Sequence, residues 1–466
     1  MQKSSNAPEK RQKVSQAELF AKFRHKKIDL YGQAAHEVDF PTRPQSLEEL
    51  DISFALIVKL FLKHLLVGGS MRNDELAGKM AIPVSLLEEP TRFLRNEALI
   101  EGRGKGAAGV SGIMELSLTD RGREHARNYQ EESTYSGPVP VTIQQYREQI
   151  RKQTVRDQIA SREEVDGVFA NIVVKKETLT QIGAAFNSGG SLFMYGPAGT
   201  GKTFLANHML RLLQGDIAIP HAVVVEGQII RVFDPVNHTA VGEDETTQAV
   251  SQQELRKPNK QTMDARWVRC KRPVIIAGSE LTLDMVDLKY TPAIGFYEAP
   301  LQMKANGGIF LIDDLGRQIV QPKTLLNRWI VPLENEVDYL GLHTGTKFQI
   351  PFDIIPIFAT NLSPEKLADE AFLRRLGYKI HVDYLSEQEF HTVFEQYCMA
   401  NDLDYDAGLV DYLINEHYKP ANRSLAACQP RDLINKVIDF SLFDGNKPKL
   451  TKELLAQAWQ TYFVSE

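Results

Sequence analysis

One string constrains this chain more than any other: Gly196-Pro197-Ala198-Gly199-Thr200-Gly201-Lys202-Thr203, the pattern GxxxxGK[ST]. It follows a short apolar run, Ser191 to Tyr195, that reads as a buried strand, and it opens a helical pattern from Phe204 to Leu213. Strand, loop and helix in that order are the setting the pattern requires. The glycines let backbone N–H groups close around phosphate oxygens, and the helix N-terminus adds the positive end of its dipole. Lys202 is then placed to reach the β and γ phosphates of ATP, and Thr203 to bind Mg²⁺ through its hydroxyl.

Two further strands point the same way. Ile309 to Ile312 runs into Asp313-Asp314, where one carboxylate is expected to hold the metal through water and the other to orient the attacking water. Asp313 is assigned the first role and Asp314 the second. Ile354 to Phe358 leads into Ala359-Thr360-Asn361. Further on come Ala371-Phe372-Leu373-Arg374-Arg375-Leu376 and, at the start of a helical pattern, Gln429-Pro430-Arg431-Asp432-Leu433.

The order of these strings from Gly196 to Leu433 resembles that of AAA+ ATPases. The resemblance implies that Asn361 is a sensor 1 residue facing the γ phosphate, from a strand lying between the two Walker strands. It implies that Arg374 or Arg375 supplies an arginine finger to a neighbouring subunit, and that Arg431 contacts nucleotide from a C-terminal lid. The second acid of Walker B is more often Glu in that family, so Asp314 sets its carboxylate one methylene further back. The stretch from Gly295-Phe296-Tyr297 to Gly307-Gly308-Ile309-Phe310 is similar to that of bacterial enhancer-binding activators and MoxR-type ATPases, groups that remodel protein partners. Tyr290, Phe296 and Tyr297 are candidate pore aromatics, with ordinary core packing as the alternative.

The expected organisation is a mobile tail over 1–45, a winged-helix-like domain over 46–130, a linker over 131–165, a large α/β subdomain over 166–385 and a helical lid over 386–466. The fold class is α/β, with strands at Ser191, Ala222, Ile309, Ile354 and Lys379 onward forming a parallel sheet. In the N-terminal part, helices are expected at Phe54 to Leu66, at Asn73 to Met80 with Asn73 as cap, and at Ser85 to Glu97. In the third, Leu86, Phe93 and Leu94 are the apolar positions and Pro90 interrupts. A Gly-rich loop from Glu101 to Gly106 and a strand from Ile113 to Leu118 complete a likeness to winged-helix modules. Glu88, Glu89 and Glu97 oppose Arg92 and Arg95 on the third helix, poor chemistry for approaching phosphates, so a protein-docking or ring-packing role is favoured over DNA binding.

Composition narrows the rest. A chain of 466 residues suits more than one domain, and its net charge of -6 is unlike that of a dedicated nucleic-acid binder. The most apolar run, Phe54 to Val67, is broken by Lys59, Lys63 and His64 and is shorter than the roughly 20 residues a spanning helix needs. No apolar segment follows the basic N-terminus as in a signal peptide, and a cytoplasmic protein without a membrane segment is expected. Cys270, Cys398 and Cys428 lie too far apart for a disulfide framework or a structural zinc site and are expected in cores. The leading reading is Mg²⁺-dependent ATP hydrolysis in a self-associated ring, a hexamer by resemblance, that remodels or assembles a protein client. The alternative is an ATP-dependent transcriptional regulator that binds DNA through the winged helix.

Overall fold

The computed structural model describes residues 38–103, 114–242, 263–367 and 370–463. The expectations for the tail before residue 38, and for the Gly-rich loop and strand start within 104–113, lie outside these residues.

Helix α1 (Phe54–Gly68) begins where the Ser53 side chain accepts the Leu56 N–H, and it buries Ile57, Leu60, Phe61, Leu62 and Leu65. After β1 (Met71–Arg72) comes α2 (Asn73–Met80), then a 3-10 turn and α3 (Glu88–Asn96), then β2 (Ile100–Arg103), β3 (Glu115–Leu118) and α4 (Asp120–Glu132). The three strands form an antiparallel sheet in the order β1-β3-β2. Three details differ from expectation. Arg72 occupies the cap position of α2, and the Asn73 side chain instead accepts the Met114 N–H at 3.2 Å, tying helix to sheet. Pro90 sits buried in the first turn of α3, where its missing N–H would have no helical partner, so the helix runs on through it. Phe93 is 43% exposed and packs edge-on against Phe54, while Leu86 and Leu94 are buried.

Residues 131–165, expected as a linker, are instead built into the body. There, β4 (Val141–Thr142) pairs with a later strand, and α5 (Ile143–Lys152) opens on a capping box between Thr142 and Gln145 and buries Tyr146 and Ile150. The end of the expected mobile tail is pinned there too. Lys152 meets Asp39 at 2.9 Å, and the Asp264 N–H donates to the Pro41 carbonyl.

Next in the chain are α6 (Lys176–Ser188), β5 (Leu192–Tyr195) and α7 (Lys202–Met209), then β6 (Asp216–Pro220), β7 (Ala222–Val225), β8 (Gln228–Arg231), β9 (Trp267–Lys271) and β10 (Val274–Ala277). They are followed by β11 (Lys289–Thr291), β12 (Phe296–Glu298), β13 (Gly308–Ile312), α8 (Pro322–Asn335), β14 (Val337–Gly341), β15 (Lys347–Pro351), β16 (Ile354–Thr360) and β17 (Tyr378–His381). A five-stranded sheet runs β10-β13-β16-β5-β17 with every pair parallel. Both β13 and β16 are buried at every residue, as in a sheet covered on two faces. Ile309 and Leu311 pack with Ile182, Leu205 and Met209 on one side, and Phe310 and Ile312 pack with Trp329 on the other.

The strand at Ala222 does not belong to this sheet. Glu226 and Gly227 both have positive φ, 47° and 77°, which makes a tight hairpin turn and folds β7 back antiparallel on β8. These two join β4, β11 and β12 in a separate mixed sheet, and the fifth strand of the parallel sheet is β10. The C-terminal part is helical: α9 (Glu387–Ala400), α10 (Ala407–Leu413), α11 (Gln429–Phe443) and α12 (Lys452–Tyr462) enclose Phe390, Phe394, Leu433 and Leu455. Among the described residues no helix is long and apolar enough to cross a membrane.

Candidate nucleotide site

The order of the parallel sheet brings the site together. Strands β5, β16 and β13 are neighbours, with Thr360 opposite Tyr195 and Ile312 opposite Phe358, so Gly196, Asn361 and Asp313 all emerge at the same carboxyl end. Such an end is where open parallel sheets bind ligands. Gly196 leaves β5 at φ 142°, and a Cβ there would fall 2.1 Å from the Val382 carbonyl oxygen. Only glycine fits. Gly201, at φ 92°, is the N-cap of α7 and aims the first N–H groups of that helix into the loop.

Lys202 is 6% exposed, and its ammonium donates to the loop's own carbonyls, Gly196 at 3.0 Å and Pro197 at 2.7 Å. Burial pushes its pKa down, and the charges of Asp314 and Asp313 oppose that shift. The Thr203 hydroxyl donates to Asp313 Oδ1 at 2.8 Å, and the same oxygen accepts the Asp314 N–H at 3.0 Å. The Asn361 amide donates to Asp314 Oδ1 at 3.1 Å. A hydroxyl and a carboxylate side by side offer hard oxygen donors, the kind Mg²⁺ takes while keeping waters and phosphate oxygens for its other positions. Among the described residues no group of three or more His, Cys, Asp or Glu is placed to hold a metal ion.

Two residues that the sequence reading missed shape the turn after β13. Asp314 and Gly316 have φ of 49° and 112°, and Gln318, 9% exposed, holds them in place. Its amide donates to the carbonyls of Asp313 at 2.9 Å, Asp314 at 3.2 Å and Gly278 at 3.3 Å, while its own oxygen accepts the Gly316 N–H at 2.8 Å. Arg317 lies inside this turn, its N–H on the Asp314 carbonyl at 3.0 Å, and it lines the cleft.

The cleft itself measures about 840 Å³, bounded by Ala198 to Leu205, by the segment Asn171–Lys175, and by residues of the helical C-terminal part including Arg431. Arg431 pairs with its neighbour Asp432 at 2.9 Å, which raises its pKa further, and Asp432 in turn accepts the Tyr462 hydroxyl at 3.2 Å. Cys428, expected in a core, lies on the loop: its N–H donates to the Gly199 carbonyl at 3.1 Å, and its sulfur would be 2.7 Å from a Cβ at Gly199. Cys270 and Cys398 are buried as expected.

Two sets of residues singled out in the sequence lie outside the cleft of their own chain. Arg374 is exposed and Arg375 pairs with Glu334 of α8 at 3.3 Å; neither lines the cleft. The three aromatics pack into the mixed sheet, in keeping with the core role weighed for them. Phe296 and Tyr297 are buried, the Tyr297 hydroxyl is hydrogen-bonded to His343, and Tyr290 stacks on the same imidazole at 4.2 Å.

The described domain of unknown function DUF8689 matches residues 386–461, the helical C-terminal part. No curated protein matches the chain. Among solved structures, NtrX from Brucella abortus in complex with ATP is similar at 13% identity and a TM-score of 0.38, over 62% of this chain and 56% of that one. RuvB of Thermotoga maritima, described as a Holliday junction branch migration motor, is similar at 12% identity and a TM-score of 0.33, over 68% of this chain and 74% of that one. This chain thus spans little more than half the length of NtrX. At these values the likeness assigns no activity, and the geometry around Lys202 carries the functional reading.

Proposed function

We propose that the chain is an AAA+ ATPase, which hydrolyses ATP with Mg²⁺ at the carboxyl end of the parallel sheet and works as a ring on a protein client. One observation carries this: the Thr203 hydroxyl on Asp313 and the Asn361 amide on Asp314, both beside the loop that holds Lys202. That is the set of groups phosphoryl transfer to water requires, with a cradle for phosphates, oxygens for a metal and a carboxylate for the nucleophile. The loop from Gly196 to Thr203 closes on the phosphates through its N–H groups, with Lys202 exchanging its carbonyl partners for phosphate oxygens. Thr203 and Asp313 hold Mg²⁺, which supplies positive charge to the transferring group. Asp314 orients water, and Asn361 fixes the Asp314 carboxylate. Arg431 closes on the nucleotide from the lid.

The ring belongs to the same reading. Arg374 is exposed and outside its own chain's cleft, as a residue serving a neighbouring subunit would be. The domain division, with a winged-helix-like part before the ATPase and a lid from residue 386, is supported by the antiparallel three-stranded sheet beside α1 to α3 and by the helical cluster around Phe390. Phosphate release from ATP by the purified chain, with and without Mg²⁺ and compared with Lys202→Ala, tests the proposal. Turnover that needs Mg²⁺ and is lost in the variant supports it; absence of ATP binding by the unaltered chain would sink it.

A further inference from the structure

Hydrolysis places charge on the γ-phosphoryl oxygens as the water oxygen bonds to phosphorus. The bond to the bridging oxygen then breaks, its electron pair leaves with ADP, and the water's proton passes to the Asp314 carboxylate and on to solvent. A cation aimed at those oxygens is worth about 10³- to 10⁵-fold in rate. Four Lys or Arg side chains line the cleft among the described residues: Lys175, Lys202, Arg317 and Arg431. Lys202 belongs to the phosphate cradle, Arg431 is paired with Asp432, and Lys175 lies in the wall segment Asn171–Lys175, on a different stretch of chain from the turn that holds the two acids.

Arg317 differs from all three. It follows Asp314 by three residues, and its N–H is bonded to the Asp314 carbonyl. The turn that carries it is stapled by Gln318 to three carbonyls, so its backbone is held fixed against the acid that orients water. The side chain is exposed, and no carboxylate pairs with it among the described residues, whereas Arg375 is paired with Glu334. A guanidinium without a carboxylate partner, carried on the same turn as Asp314 and lining the cleft that Asn361 also lines, is what the developing charge calls for, and a planar fork of donors suits phosphate oxygens.

We infer that Arg317 is a catalytic residue acting within its own subunit, donating to the γ-phosphoryl oxygens as charge builds there. The inference rests on the ATPase reading above. Its test uses the full chain and the variants Arg317→Ala and Arg317→Lys, with ATP affinity measured by calorimetry and turnover by phosphate release. Arg317→Ala is expected to lose about 10³-fold in turnover while ATP affinity stays within about threefold, and Arg317→Lys to recover part of the loss, because the contact is made in the transition state. Mixing Arg317→Ala with Asp314→Asn should restore nothing, since each site then lacks one of two groups that must share a subunit. Unchanged turnover in Arg317→Ala, a parallel loss of affinity and turnover, or rescue on mixing would each overturn the inference. Those outcomes leave the ATPase reading standing, which falls only if the unaltered chain neither binds nor hydrolyses ATP.

Discussion

The Lys202 ammonium rests on two carbonyls of its own loop, which keep it bonded while it is buried; in the proposed reaction phosphate oxygens replace them. Lys202→Ala is expected to weaken ATP binding by about 10- to 150-fold, the worth of a hydrogen bond to a charged group, and calorimetry with ATP checks it. Asp314→Asn keeps the size and the Asn361 neighbour but removes the charge. ATP affinity should hold while turnover falls by about 10²- to 10⁴-fold, in the range of a lost general base; equal loss of both would contradict the role. Thr203, Asp313 and Asn361 were legible because each ends an apolar strand or opens a helix in a pattern with a known chemical use. Gln318 and Arg317 were not. Their roles depend on a turn with positive φ at Asp314 and Gly316 and on a partner at Gly278, and none of that is visible as local spacing. Cys428 hid for a similar reason, since its neighbour Gly199 is distant in sequence.

Elements were legible where caps and period agree. Helix α2 has the expected bounds, and α9 begins one residue after Ser386, whose capping box with Glu389 marks the start. Sheet membership was not legible, because an apolar run such as Ala222–Val225 shows that a strand is buried without showing which strand it lies beside. Helix α1 carries a second consequence of burial. Lys63 is 3% exposed, with its ammonium on the Ser133 carbonyl at 3.0 Å, and burial pushes its pKa from 10.5 down to about 8, aided by Lys59 and opposed by Glu132. The unfolded chain keeps this proton up to about 10.5 and the folded chain releases it near 8, so stability contributed here rises with pH across that window. Below it the full cost of the buried charge is carried. Lys63→Met is therefore expected to protect the α1 amides from hydrogen exchange more than the unaltered chain does below pH 8. The gap should close by up to about 3 kcal/mol as pH rises toward 10.5. A gap independent of pH would show that Lys63 is not the titrating group.

At the scale of the whole molecule, the ring proposed above would make turnover a property of an assembly, with the exposed Arg374 serving the neighbouring site. Specific activity should rise with chain concentration. Arg374→Ala should bind ATP normally yet lose about 10³-fold in rate, and it should regain activity when mixed with Asp314→Asn, the reverse of the behaviour expected for Arg317→Ala. Rates strictly proportional to concentration, with full activity in Arg374→Ala, would remove the ring from the reading. Binding of duplex DNA by the full chain at two salt concentrations separates the two partner classes, since a steep loss with salt reports phosphate neutralisation and would favour the regulator. The strand order has one more consequence, in the time it takes to make the chain. Among the described residues strand β5 pairs only with β16 and β17, both of which lie more than 150 residues downstream. While a ribosome is still extending the chain toward residue 354, Leu192 to Tyr195 has neither of its partners, and the loop beside it has no Asp313 to face until residue 313 has emerged. The nucleotide cradle is thus among the last parts of the sheet to close. Until then this apolar strand presents two open edges, which makes the half-made chain a client for a holding chaperone before it can act on any client of its own.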